Sequence, residues 1–128
     1  MWPDHCVQGT QGAAFHPAIQ DGAANRAELI VRKGYNRAID SYSAFFENDR
    51  TTSTGLAGYL RERGLTRCVF VGLALDFCVR YSALDAVAQG FDAVVLTDAT
   101  RAIDTAGSGA EALEAMRAAG VVLAVSEY

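Results

Sequence analysis

The sequence predicts an α/β protein built on a mostly parallel sheet, and three observations carry that prediction. Short, uninterrupted apolar runs recur at residues 29–31, 68–73, 93–96 and 121–125. Stretches with helical periodicity lie between the later runs, and Gly64, Gly90 and Gly120 stand where those stretches stop. Strands that lack polar alternation are buried on both faces, and right-handed crossovers place the helices there. The expectation is a three-layer α/β/α arrangement of Rossmann-like type.

Taken in order, residues 1–28 carry Trp2, Pro3, Gly9, Gly12, Pro17 and Gly22 with no sustained period, so they read as loop with a short turn. Residues 29–31 read as a buried strand that ends at Arg32-Lys33-Gly34. Residues 34–52 are polar and broken, with an aromatic island at 40–46. Thr54 is placed to cap a helix through Arg63, with Leu56, Tyr59 and Leu60 on one face and Gly64 as the stop. Residues 68–73 are too short and too β-rich for a helix. A second helix covers 78–89, where Val79, Ala83, Ala86 and Val87 supply an apolar face. Residues 93–96 form the next strand. Ser108 and Glu111 match a capping box opening a helix through Ala118, and 121–125 close the series.

A length of 128 residues suits one domain, 1–128, and 51% hydrophobic against 20% charged residues is too apolar for disorder. Eleven basic and fifteen acidic side chains leave a net charge of −4, which argues against nucleic acid as a partner. No apolar run approaches the ~18 residues of a membrane-spanning helix. The opening Met-Trp-Pro-Asp-His-Cys has neither the basic nor the apolar region of a secretory signal. Cys6, Cys68 and Cys78 are odd in number and unevenly spaced, as expected of free thiols in a reducing, cytoplasmic setting.

In open parallel sheets, ligands bind beyond the carboxyl ends of the strands. That rule selects Lys33-Gly34, residues 73–78, and Thr97-Asp98. Cys78 follows a strand end and stands where the next helix begins, so backbone N–H groups and the helix dipole favour a thiolate there. The same N–H groups are suited to an oxyanion. A small buried cysteine filling the strand–helix corner fits the position equally well. Lys33, at the end of a neighbouring strand, either supports that sulfur or is simply an exposed strand-end lysine. His5 and His16 read as loop histidines, because no second ligand lies at metal-site spacing. Trp2, Tyr42, Phe45 and Phe46 either line an aromatic pocket or plug the core locally. Asp98 reads as a structural acceptor for loop backbone. Gly34 and Gly72 match no phosphate-binding pattern, and there is no Cys-x-x-Cys.

Five stretches taken together resemble the nicotinamidase branch of the isochorismatase-like cysteine hydrolases. They are Trp-Pro-Asp-His-Cys-Val-Gln-Gly-Thr (2–10), Arg-Lys-Gly (32–34), Asp-Ser-Tyr-Ser-Ala-Phe (40–45), Gly-Leu-Ala-Leu-Asp-Phe-Cys-Val (72–79) and Asp-Ala-Thr-Arg-Ala-Ile (98–103). Each block alone is weakly specific; five in the same order are strongly so. The resemblance implies Cys78 as nucleophile, Lys33 as its partner, and the backbone N–H groups of Ala74 and Cys78 as the oxyanion hole. It further implies a cis peptide just before Ala74, Trp2 and Tyr42 as pocket aromatics around a pyridine ring, and His5 as a metal ligand. The family's divalent ion is zinc, iron or manganese.

The chain departs from the family pattern at its start, where no strand with the catalytic aspartate and no Asp-x-His segment precedes Trp2. One metal-ligand position is therefore retained. Leu75 stands where Thr is usual, and Phe77 where Tyr is common. The expected activity is hydrolysis of nicotinamide to nicotinate and ammonia through a cysteine thioester, carried by an N-terminally truncated chain with its first strand absent. The expected partner is this small molecule, with neither nucleic acid nor membrane. A sheet strand left uncovered promotes self-association, so a homo-oligomer belongs to the expectation. Two alternatives stand beside it: a catalytically dead relic or interaction module of the same fold, and a cysteine amidase for another small amide.

Overall fold

A computed structural model describes residues 2–127. Met1, part of the stretch read as loop, lies outside them. Three strands, β1 (Arg67–Leu73), β2 (Asp92–Arg101) and β3 (Val122–Ala124), form a parallel sheet in that order. Four helices accompany them: α1 (Pro17–Gln20), α2 (Leu56–Glu62), α3 (Arg80–Ala88) and α4 (Ser108–Ala118). The α/β class and the parallel pairing are as the sequence predicts.

Helix α3 carries the chain from β1 to β2, and α4 carries it from β2 to β3. The two helices pack against each other as well as on the sheet. Small side chains allow that close approach: Ala83 and Ala86 of α3 and Ala112 of α4 are buried with Ala93 and Val95 of β2 and with Met116. Full burial of a side chain such as Met116 stabilises by roughly 1.5–3 kcal/mol. Along β1, Cys68 and Phe70 pack on this core, while Val69, Val71 and Leu73 point the other way and are exposed. Strand β2 bulges between Val95 and Thr100 opposite Phe70 to Gly72. The Thr100 hydroxyl closes the bulge by donating to the Gly72 carbonyl at 2.5 Å.

Two buried polar residues on α3 bind the segment before α2 to the core. Ser82 accepts from the Ala44 amide at 2.9 Å, and Asp85 takes a two-pronged bond from Arg50 at 3.0 and 2.5 Å. Phe45 is 1% exposed, with its ring 6.0 Å from that of Phe91.

Three expectations need correction. Residues 29–31 belong to no strand or helix, and Leu29 and Ile30 are exposed. Apolar content alone does not make a strand; a neighbour must take up its N–H and C=O groups, and none does so among the described residues. The Ser108–Glu111 capping box does not form. Gly107 caps α4 in a left-handed conformation, the Ser108 hydroxyl goes to Asp76, and Glu111 pairs with Arg80. Finally, the helix expected from residue 78 is entered through an earlier, wider turn at Leu75–Val79.

Candidate active site

The site begins where β1 ends. The Leu73–Ala74 peptide is cis, as the resemblance implies. The Ala74 carbonyl then accepts from Phe77 N at 3.2 Å and from Val79 N at 3.0 Å, so residues 75–79 wind as a π turn. Such turns insert one residue into a helix and are frequent at functional sites. Cys78 lies in this turn, half-buried and with a free thiol. Its carbonyl accepts from the Ser82 hydroxyl at 2.6 Å, the same hydroxyl that receives the Ala44 amide.

Lys33 reaches the turn from the extended N-terminal segment. Gly34, at φ +72°, bends the chain in a region that side chains avoid. The Gly34 amide donates to Glu47 Oε1 at 3.3 Å, and its carbonyl accepts from Gln8 Nε2 at 3.2 Å. The Lys33 ammonium donates to the Ser41 carbonyl at 2.5 Å and stands 3.6 Å from Cys78 Sγ. At that range, in a partly buried setting, an ammonium compensates negative charge on sulfur far more than it does in bulk water. Lys33 and Cys78, 45 residues apart in sequence, are thus brought together.

His5 and Cys6 join them on the wall of one cleft of about 880 Å³, together with Arg32 and Leu73. The His5 ring bonds to the Pro3 carbonyl through Nδ1 at 2.8 Å. A carbonyl only accepts, so Nδ1 carries the proton of that bond and Nε2 is the nitrogen available as a ligand. One imidazole does not hold a divalent ion. Among the described residues no three His, Cys, Asp or Glu side chains gather as a metal site needs.

An aromatic group lies beside Cys78. Trp2 Nε1 donates to the Tyr42 hydroxyl at 2.9 Å. The Phe77 ring sits edge-on to Trp2 at 5.1 Å and tilted to Tyr42 at 5.5 Å, with Tyr81 5.4 Å beyond Tyr42. Of the aromatic candidates, Phe45 belongs to the core, and Phe46 lies under the Arg50 guanidinium. His16 accepts from the Ala18 amide and caps α1. Asp98 takes hydrogen bonds from the Ser126 hydroxyl and amide, which hold its carboxyl below the ordinary value. Both are structural.

Sequence reasoning missed the residues that hold the pair in place: Ser41, Ser82, Glu47 and Asp76. Asp76 is 1% exposed and accepts from Ile103 N, Asp104 N and Ser108 Oγ. Burial alone raises its carboxyl, but the Ser108 hydroxyl and the Asp104 and Ile103 amides outweigh it and hold the group below its ordinary value. A signal for it was present, since a lone acid inside Leu-Ala-Leu-Asp-Phe-Cys-Val has to be buried and therefore bonded.

Residues 1–127 match the isochorismatase domain. The nicotinamidase of Acinetobacter baylyi is 54% identical over 121 residues, a match spanning 94% of this chain and 55% of that protein. Among solved structures, the Acinetobacter baumanii nicotinamidase pyrazinamidase superposes with a TM-score of 0.92 at 51% identity, over 98% of this chain and 59% of that one. PnC1 from L. infantum, in complex with nicotinate, gives 0.90 at 41% identity, over 98% and 61%. The pyrazinamidase of Pyrococcus horikoshii in complex with zinc gives 0.79 at 33% identity, over 98% and 64%. The chain spans little more than half the length of the curated relatives it matches.

Proposed function

The chain belongs to the isochorismatase domain family, and on that premise we propose that it carries the thiol half of an amidohydrolase acting on nicotinamide. The observation that supports this reading is the Lys33 ammonium 3.6 Å from Cys78 Sγ, at the carboxyl end of β1.

In this mechanism the Cys78 thiolate attacks the carboxamide carbon, and a C–S bond forms as the C=O pair moves onto oxygen. The N–H groups of Ala74 and Cys78 receive that oxyanion. The tetrahedral species collapses, the C–N bond breaks, and the thiol's proton leaves on ammonia. Water then adds its oxygen to the acyl carbon, the C–S bond breaks, and one proton of that water restores the thiol as nicotinate leaves. Lys33 compensates charge on sulfur throughout, and Trp2 and Tyr42 with Phe77 flank the pyridine ring. The resemblance assigns the proton shuttle to an aspartate on a strand that these 128 residues do not contain. A divalent ion of the kind the family uses would find one ligand in this chain, His5 through Nε2, and the described residues by themselves would not hold it. No step is therefore routed through a metal. The reaction belongs to pyridine-nucleotide salvage, and three free thiols suit a cytoplasmic protein.

The test is ammonia release from nicotinamide by the 128-residue chain, beside a Cys78→Ala control. Release that disappears in Cys78→Ala supports the proposal. Equal release from both overturns the role of Cys78, and none from either favours the second reading, a non-catalytic subunit of the same fold. The single histidine where a metal site needs several ligands is what speaks for that alternative.

A further inference from the structure

We propose that Asp76 is a positioning residue that fixes the direction of the Cys78 thiol by clamping its turn to the segment between β2 and α4. The proposal rests on the reading of Cys78 as the reacting thiol. Asp76 lies two residues before Cys78 in the same π turn and is the one acidic group in it. Its carboxylate takes Ile103 N at 3.1 Å on one oxygen, and Asp104 N at 2.8 Å with Ser108 Oγ at 2.6 Å on the other.

The donor segment is shaped to deliver those groups. Asp104 and Ala106 adopt left-handed backbone, at φ 59° and 55°, a region that most side chains avoid. Asp104 in turn accepts from Gly109 N at 3.0 Å, and a Cβ on Gly109 would meet that carboxylate and Ala102 at 3.1 Å. Ser108 also gives up the capping role its sequence position suggests. From the other side, Ser82 holds the Cys78 carbonyl. The turn is therefore gripped at two points, and the sulfur between them is aimed at the Lys33 ammonium. A side chain that served only to anchor α4 would not need to sit in the nucleophile's own turn.

The experiment uses the whole chain and reads the rate at which iodoacetamide modifies each cysteine, resolved by mass spectrometry. Cys6 is exposed and Cys68 half-buried on β1, so they report reagent and global opening respectively. Asp76→Asn places an amide N–H against amide donors and releases the clamp. The expected result is about tenfold slower modification of Cys78 with Cys6 and Cys68 unchanged, since small misplacements of a reacting group commonly cost that much or more. Ser108→Ala removes one donor of three and slows Cys78 by a smaller factor, which keeps the test alive if Asp76→Asn does not fold. Asp85→Asn, which loosens an equally buried carboxylate on α3, leaves the Cys78 rate unchanged relative to Cys68. Cys78 unaltered in Asp76→Asn, or accelerated together with Cys68, overturns the proposal. No nicotinamide enters this assay, so failure of the amidase reading and failure of the clamp are told apart.

Discussion

The sheet unit from Arg67 onward and the N-terminal arm of residues 2–36 are built on opposite principles, although the site draws on both. The first closes on a core in which Val95, Ala83, Ala86, Ala112 and Met116 are fully buried. The second has no fully buried residue, and its Leu29, Ile30 and Ile19 are exposed. Contacts inside the arm are local turns and single hydrogen bonds, such as Arg32 to the Ala13 carbonyl. Cys78 stands on the cohesive part and Lys33 on the loose one, joined through Ser41 and Glu47. The Cys78 turn is thus held by packing together with buried polar contacts, whereas the Lys33 ammonium is held by polar contacts alone, which are worth less and exchange with water more readily.

The sharpest way to break that contrast is a pair of truncations. Met116→Ala is expected to lower stability by about 2–5 kcal/mol in denaturant unfolding, whereas Ile30→Ala in the arm changes it by less than about 0.5 kcal/mol. Equal losses would mean the arm shares the core. Next in size, Asp85→Asn weakens the Arg50 pair; because Arg50 is half-exposed, the expected loss is about 1–3 kcal/mol by the same measurement.

Acid sensitivity separates the regions more finely. Asp76 has a folded value below its ordinary 3.8, so its stabilisation is complete above 3.8 and is lost as pH falls through the folded value. The melting temperature of the parent should therefore fall below pH 3.8, and that fall should be shallower in Asp76→Asn. A parallel fall in both would remove Asp76 from the account. The smallest effect is expected at Tyr42→Phe, which takes the acceptor from Trp2 Nε1 at an exposed position. Global stability should stay within about 0.5 kcal/mol, while Trp2 fluorescence shifts as its hydrogen bond goes to water.

Much of the sheet unit was legible because local and global signals agree there. Apolar runs, glycine stops and helix length all point one way, and α4 runs from Ser108 to Ala118 as the pattern predicts. The reading failed at 29–31, where composition favours a strand and pairing decides. It failed at Ser108 for the converse reason, since a distant carboxylate outcompeted the local cap. Cys78 and Lys33 were visible as candidates from strand ends and from the family blocks; their shared scaffold of Ser41, Ser82 and Asp76 was not.

The amino-acid order alone determined the α/β class, the parallel succession and the residue types available for thiol chemistry, because these follow from short-range periodicity and steric preference. Only the tertiary structure decided that the Lys33 ammonium lies 3.6 Å from Cys78 Sγ, and that Asp76 spends its carboxylate on residues 27 to 32 positions further along. Such contacts join groups far apart in sequence. Their partners are chosen by which buried polar atoms would otherwise go unpaired, and no local window of the chain carries that information.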